Sequence, residues 1–404
     1  MKVKITPARA VGKITAPPSK SMAHRLLICA ALAEGRSVIH GISTCEDVLA
    51  TLDCMAALGI KAERVGDDCI VHGSKITSHA PGALLRCRES GSTLRFLLPV
   101  ALISGRTVML TGAKGLMQRP LSVYEELCSA RSLLFVRDGE SITVKGPLTS
   151  GEYSVVGNIS SQFISGLLFA LPCLQGDSRI RIIPPIESLS YINMTIAALA
   201  EFGIKCHWEN DYTIYVPGNQ SYIPRELTVE GDYSGAAFPA ALNLFGGEVE
   251  ISGLNPESIQ GDRVYKKHFE LLSSGVPTIH IGDCPDLGPI LFAVAAAKCG
   301  GVFGGTKRLK IKESDRALAM ASELRKFGTR VTVYEDKVVV YPADFHKPTE
   351  PLSAHNDHRI VMSLAVLLTL TGGEIEGAEA IAKSYPEFFN HLRALGVGVT
   401  EYDA

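Results

Sequence analysis

The chain has 404 residues, of which 46% are hydrophobic and 20% charged, and its formal net charge is −2. Two domains are the expectation at that length, with enough apolar residues for a sizeable core. A charge balance so close to zero excludes a bulk field for nucleic acid or an acidic membrane surface, so any anion site has to be local.

In chain order, Met1–Ile5 alternates as a strand does and shows no signal-peptide apolar region. Pro17 and Pro18 then fix an extended crossing. From Ser21 onward one pattern recurs. Small or polar residues open each copy, an apolar helix follows, a Gly stops it, and a β-branched strand comes next. A second, amphipathic helix often ends in Leu-Gly or Phe-Gly, and a closing strand completes the copy. The first copy predicts helices over 26–33 and 47–58 and strands over 37–40 and 69–72. The second starts at Ser90-Gly91-Ser92-Thr93, with strands over 107–110 and 141–144. The third starts at Ser160-Ser161-Gln162, with strands over 179–183 and 213–216 and a helix over 191–202. The fourth starts near Asp232, the fifth near Asp286 and the sixth near Asp357. Starts recur roughly every 70 residues, apart from a shorter fourth copy, which is a longer period than solenoids have.

A boundary is expected between the third and fourth copies, from Tyr222-Ile223-Pro224-Arg225 to Gly231-Asp232. With the first strand assigned to the C-terminal half, residues 1–15 and 230–404 form one discontinuous domain and 16–229 the other. The crossings near 16–20 and 222–232 then act as a hinge that closes over a ligand.

The copy starts hold the chemistry. Ser, Thr and Asp there are N-caps, and a helix N-terminus presents unpaired N–H groups and partial positive charge to anions. Cations cluster at these starts: Lys20 and Arg25 at the first, Arg95 at the second, Arg359 at the sixth. Arg119 lies in the loop Gly115-Leu116-Met117-Gln118-Arg119-Pro120. The stretch Lys312-Glu313-Ser314-Asp315-Arg316 puts two acids and two bases just before an apolar helical pattern of Ala317, Met320, Ala321 and Leu324. Together with Asp286, His358 and Lys383 these residues describe a phosphate- and carboxylate-binding site with acids able to move protons.

Several classes are excluded. There is no G-x-x-x-x-G-K-[ST] loop, dinucleotide fingerprint, H-E-x-x-H or G-x-S-x-G. The ten cysteines show no C-x-x-C pair and no Cys/His ligand spacing; those in apolar runs, such as Cys29, Cys173 and Cys299, read as reduced core thiols of a cytoplasmic protein. One Trp and no basic tract interleaved with aromatics speak against nucleic acid. The longest apolar runs, such as 360–370, are too short to cross a bilayer.

The motifs Pro18-Ser19-Lys20-Ser21…Arg25, Ser90-Gly91-Ser92-Thr93-Leu94-Arg95, Gln118-Arg119-Pro120, Ser160-Ser161-Gln162, Lys312–Arg316, Asn356-Asp357-His358-Arg359 and Ala382-Lys383-Ser384-Tyr385-Pro386 are similar, in order and along the whole chain, to those of the EPSP synthase family. That resemblance implies an α/β enolpyruvyl-transferase fold of two similar domains. Each has three βαβαββ-type units, with helix N-termini facing the interdomain cleft. It implies transfer of the enolpyruvyl group of phosphoenolpyruvate to the 5-hydroxyl of shikimate 3-phosphate, releasing phosphate, in a monomer without metal or organic cofactor.

Carried over by motif, Asp286 takes the hydroxyl proton, Glu313 handles the methylene proton with Lys20 close by, and His358 orients or catalyses near the phosphate. Shikimate 3-phosphate is expected at Lys20, Ser21, Arg25, Ser160, Ser161, Gln162, Ser188, Asp286 and Lys312. Phosphoenolpyruvate is expected at Lys20, Gly91, Arg119, Gln162, Arg316, Arg359 and Lys383. Two departures from the family pattern stand out. Glu89 replaces a frequent Asn and is expected to pair with Arg86 or Arg88, and Arg308 stands where some members have Asn. UDP-N-acetylglucosamine enolpyruvyl transferases resemble the chain less, because they usually carry a Cys in the loop that is Ala113–Pro120 here.

Overall fold

The structure, a computed structural model, describes residues 1–75 and 82–402. The apolar stretches that follow the copy starts form helices hydrophobic nearly all round, and such helices belong inside a protein. Lys20–Leu32, Gly91–Leu102 and Ser161–Ala170 are buried along most of their length. So are Tyr233–Ala241, Gly288–Ala297 and His358–Thr371. The polar residues ahead of them work as caps. Ser90 accepts from the Thr93 N–H, Ser160 from Gln162, Asp232 from Ser234 and Asp357 from Arg359. Each such cap stabilises its helix by about 1 kcal/mol. The second helix of the first copy, Glu46–Ala57, keeps Glu46 and Asp53 outward.

Among the described residues the strands form six small sheets, five of four strands and one of two. In the sheet of Ala83–Arg86, Thr107–Thr111, Ser141–Lys145 and Leu134–Arg137, the first pair is parallel and the other two are antiparallel. The same order recurs in Gly151–Val156, Ser178–Ile183, Thr213–Val216 and His207–Asn210. It recurs again in Thr278–His280, Gly301–Gly304, Lys337–Val340 and Val331–Val333. In the first copy the leading strand comes from far along the chain, as Glu226–Thr228 pairs with Gly35–His40. In the sixth, Lys2–Ile5 lies between Gly373–Glu376 and Val399–Tyr402. The shorter fourth copy is the two-stranded sheet, Glu248–Ser252 beside Val11–Thr15.

By contact density the chain divides into two compact units, Met1–Ser19 with Gly231–Ala404, and Lys20–Glu230. Each has its own apolar core. The first division falls a few residues beyond the expected one. The Ala16 N–H donates to the Ser252 carbonyl and Pro18 bridges to Gly231, which ties the prolines to the C-terminal unit.

All ten cysteines are free thiols. Cys29 is buried, but Cys299 is exposed because the helix Gly288–Ala297 has already ended before it. Among the described residues no helix is long and apolar enough to cross a membrane.

Candidate active site

In the unit Lys20–Glu230, side chains from four helix N-termini meet. Lys20 opens its helix and donates to Asp47 Oδ2 at 2.8 Å, across to the first turn of Glu46–Ala57. Behind this pair runs a buried chain of short hydrogen bonds. His24 Nδ1 meets Thr51 Oγ1 at 2.8 Å, Thr51 meets Thr93 Oγ1 at 2.7 Å, and Thr93 donates to the cap oxygen of Ser90 at 2.7 Å. Burial holds the His24 pKa well below the usual histidine value, and Lys20 and Arg25 push it the same way. A neutral imidazole therefore anchors the chain.

Gly91 is the first residue of its helix, and a Cβ there would stand 2.8 Å from Arg119 Nη1 and 3.1 Å from Arg95 Nη1. Arg95 Nη1 donates to Gln162 Oε1 at 2.8 Å, and Gln162 Nε2 donates to Ser92 Oγ at 2.9 Å. Gly91, Arg119, Gln162, Arg95 and Ser92 thus form one polar group. Ser160 and Ser161 begin the helix that carries Gln162.

Arg25 points elsewhere. It donates to Thr195 Oγ1, the Ser21 carbonyl and the Tyr191 carbonyl, at 2.9, 2.6 and 2.9 Å, with its guanidinium over Phe96. Burial pushes its pKa down to about 10, which still leaves it charged at neutral pH. Ser188 is buried with φ 57°, a left-handed conformation uncommon for a residue other than glycine, just before Leu189–Glu201.

In the other unit, Arg316 is the hub. It opens the helix Arg316–Arg325 and is 1% exposed. Its Nε donates to Asp357 Oδ2 at 2.8 Å, Nη1 to Asp286 Oδ1 at 2.8 Å and Nη2 to Glu313 Oε2 at 2.6 Å. Burial opposes the charge, but Asp357, Glu313 and Asp286 outweigh it and raise its pKa far above the usual value. Asp286, on the turn before Gly288–Ala297, receives two more cations. Lys312 Nζ lies 3.2 Å from Oδ1 and Arg359 Nη2 lies 2.9 Å from Oδ2. Burial lowers the Lys312 pKa, Asp286 and Glu313 oppose this, and Arg308 and Arg316 add to it.

Arg359 also donates to Ser234 Oγ at 2.6 Å, which brings in the start of Tyr233–Ala241. Lys383 Nζ binds Asn356 through its carbonyl and Oδ1, at 2.6 and 2.8 Å. His358 is 1% exposed, with Nδ1 4.0 Å from Asp357 Oδ1, beyond hydrogen-bond reach.

Of the expected residues, Gly91, Arg119 and Gln162 meet in one unit and Asp286, Lys312, Glu313, Arg316 and Arg359 in the other, while Arg25 and His358 are buried in the packing. The Arg88 guanidinium, expected beside Glu89, takes Glu46 and Asp53 instead. Sequence reasoning did not single out Asp47, Thr51, Thr93, Ser234 or Asp357 as parts of the site. Asp47 and Asp357 read as ordinary helix-start acids, and only the fold shows what each one holds.

A sequence model described as EPSP synthase (3-phosphoshikimate 1-carboxyvinyltransferase) matches residues 5–392. A 3-phosphoshikimate 1-carboxyvinyltransferase of Clostridium perfringens is 39% identical, over 98% of this chain and 98% of its own. One of Clostridium kluyveri is 36% identical, over 99% and 98%. The fold is similar to a solved EPSP synthase of Acinetobacter baumannii, with TM-score 0.80 and 22% identity, covering 99% of this chain and 100% of that one. The chain belongs to the EPSP synthase family, the 3-phosphoshikimate 1-carboxyvinyltransferases.

Proposed function

We propose that the chain performs its family's reaction with the residues described above, Asp286 acting as the proton acceptor. The enolpyruvyl group of phosphoenolpyruvate passes to the 5-hydroxyl of shikimate 3-phosphate by addition and then elimination of phosphate. The hydroxyl must lose a proton, and the methylene carbon must gain one and later return it, so positioned acid–base groups are required. The observation that carries this reading is the meeting of Lys312, Arg316 and Arg359 on the one carboxylate of Asp286.

In this reading the substrate anions draw Arg316 and Arg359 toward themselves. The carboxylate those cations leave becomes a better base as the site fills, so proton removal is coupled to binding. Glu313, held by Arg316, is the second acid and handles the methylene proton, with Lys20 close to the same chemistry. Gly91, Arg119, Gln162 and Lys383 hold phosphoenolpyruvate. Ser21, Ser160, Ser161, Ser188 and Lys312 hold shikimate 3-phosphate, with Arg25 anchoring the helix that bears Lys20 and Ser21. The ten free thiols suit a cytoplasmic enzyme, and the reading takes it to work as a monomer. The test is phosphate release from phosphoenolpyruvate with shikimate 3-phosphate. Release with UDP-N-acetylglucosamine instead would overturn the reading.

Gly91→Ala provides a sharper check. The added methyl would meet the guanidinium ends of Arg119 and Arg95 rather than backbone, so the fold is expected to survive. Arg119 must shift, and KM for phosphoenolpyruvate is expected to rise about tenfold, a displacement cost typical of positioning groups. Bulkier mimics such as glyphosate should lose more. A variant with the parent's KM and the parent's inhibition would contradict the placement.

A further inference from the structure

The loop that presents Arg119 is short, and its carbonyls need partners. Lys114–Met117 is one turn of helix, and the Gln118 and Arg119 N–H groups close it onto Lys114 and Leu116. The carbonyls that follow find no N–H in the donor role inside so short a helix. Arg137 fills that role from the end of the strand Leu134–Arg137. Its Nη2 donates to the carbonyls of both Met117 and Arg119, the latter at 3.1 Å. Its Nη1 lies 3.3 Å from Glu125 Oε1 in the first turn of Ser122–Ala130. One residue further on, Arg95 Nη2 donates to the Pro120 carbonyl at 3.3 Å. Two guanidinium groups therefore grip the backbone on either side of Arg119, whose own guanidinium lies beside Gly91. A planar fork that spans two carbonyls and a carboxylate suits Arg and not Lys.

We infer that Arg137, which no motif of the chain points to, is a positioning residue for phosphoenolpyruvate, acting through the backbone of Arg119. The inference rests on the reading of Arg119 as a phosphoenolpyruvate ligand. Arg137 is partly exposed on an edge strand, so its replacement leaves the core in place. In Arg137→Gln, KM for phosphoenolpyruvate rises about tenfold, while kcat changes less than about threefold and the affinity for shikimate 3-phosphate is unchanged. Arg137→Lys, which can reach a single carbonyl, recovers part of the loss. In an Arg119→Lys background, Arg137→Gln adds little, because both changes act through one guanidinium.

An unchanged KM for phosphoenolpyruvate in Arg137→Gln overturns the inference. So does an equal rise for both substrates, or an effect that simply multiplies with Arg119→Lys. If Arg119→Lys alone leaves that KM at the parent value, the failure lies in the reading of Arg119 and not in the clamp.

Discussion

Asp286→Asn is expected to lower turnover by about 10³-fold, the loss typical of removing a positioned general base, while shikimate 3-phosphate still binds. The amide keeps the size and one acceptor oxygen of the carboxylate but cannot take the hydroxyl proton. The change also removes a negative charge from beside Lys312, Arg316 and Arg359. Its consequence for Lys312 has a definite sign. Asp286 supports the Lys312 charge against burial, so without it the already lowered pKa falls further. A lysine with a lowered pKa loses its proton, and its hold on an anion, as pH rises through that value. The alkaline fall in shikimate 3-phosphate affinity is therefore expected to begin at lower pH in Asp286→Asn than in the parent. Calorimetric titrations across the alkaline range check this, beside single-turnover phosphate release. Near-normal turnover would remove Asp286 from the role of base. An alkaline limb that stays in place would separate Lys312 from that substrate.

Much of the fold could be read along the chain because each copy repeats local signals. Ser90, Ser160, Asp232 and Asp357 cap helices where the small and polar residues predicted starts, and those helices are buried as their apolar runs require. The short strands were harder. Ala83–Arg86 and Thr278–His280 are too brief to show a period, and they are strands because a parallel neighbour pairs with them. Lys2–Ile5 was legible as a strand, but its place between two C-terminal strands depends on pairing across nearly the whole chain.

The site divides the same way. The pentapeptide 312–316 signalled charge, and its helix start was plain. That Arg316 joins Glu313 to Asp286 and Asp357 follows only from packing between copies. The His24–Thr51–Thr93–Ser90 chain gave no signal, since Thr and His within apolar helices look like ordinary core residues until their hydroxyls are seen in line.

Arg316→Met is expected to destabilise the protein by about 3–5 kcal/mol, the cost of removing one partner from a buried ion pair. Its guanidinium is fully buried and serves carboxylates from three segments of the chain. Methionine fills much of the volume and supplies no donor. Because the Arg316 pKa is raised, its contribution is complete below the ordinary arginine value, while Asp357, Glu313 and Asp286 stay ionised, and declines only above it. Ordinary buffers cannot titrate it away, so substitution is the way to remove it. The urea midpoint should fall with an unchanged slope, since the same surface is exposed on unfolding.

The damage would come from stranded carboxylates rather than a lost attraction. Adding Glu313→Gln to Arg316→Met should therefore restore part of the midpoint, whereas Glu313→Gln in the parent should not stabilise. Arg316→Lys should fall between parent and Met, since one ammonium cannot reach Asp357, Asp286 and Glu313 together. A loss below about 1 kcal/mol, within the range of an exposed pair, would show that Arg316 is not the centre of this cluster. A double variant whose loss equals the sum of its singles would show that Glu313 is held by something else.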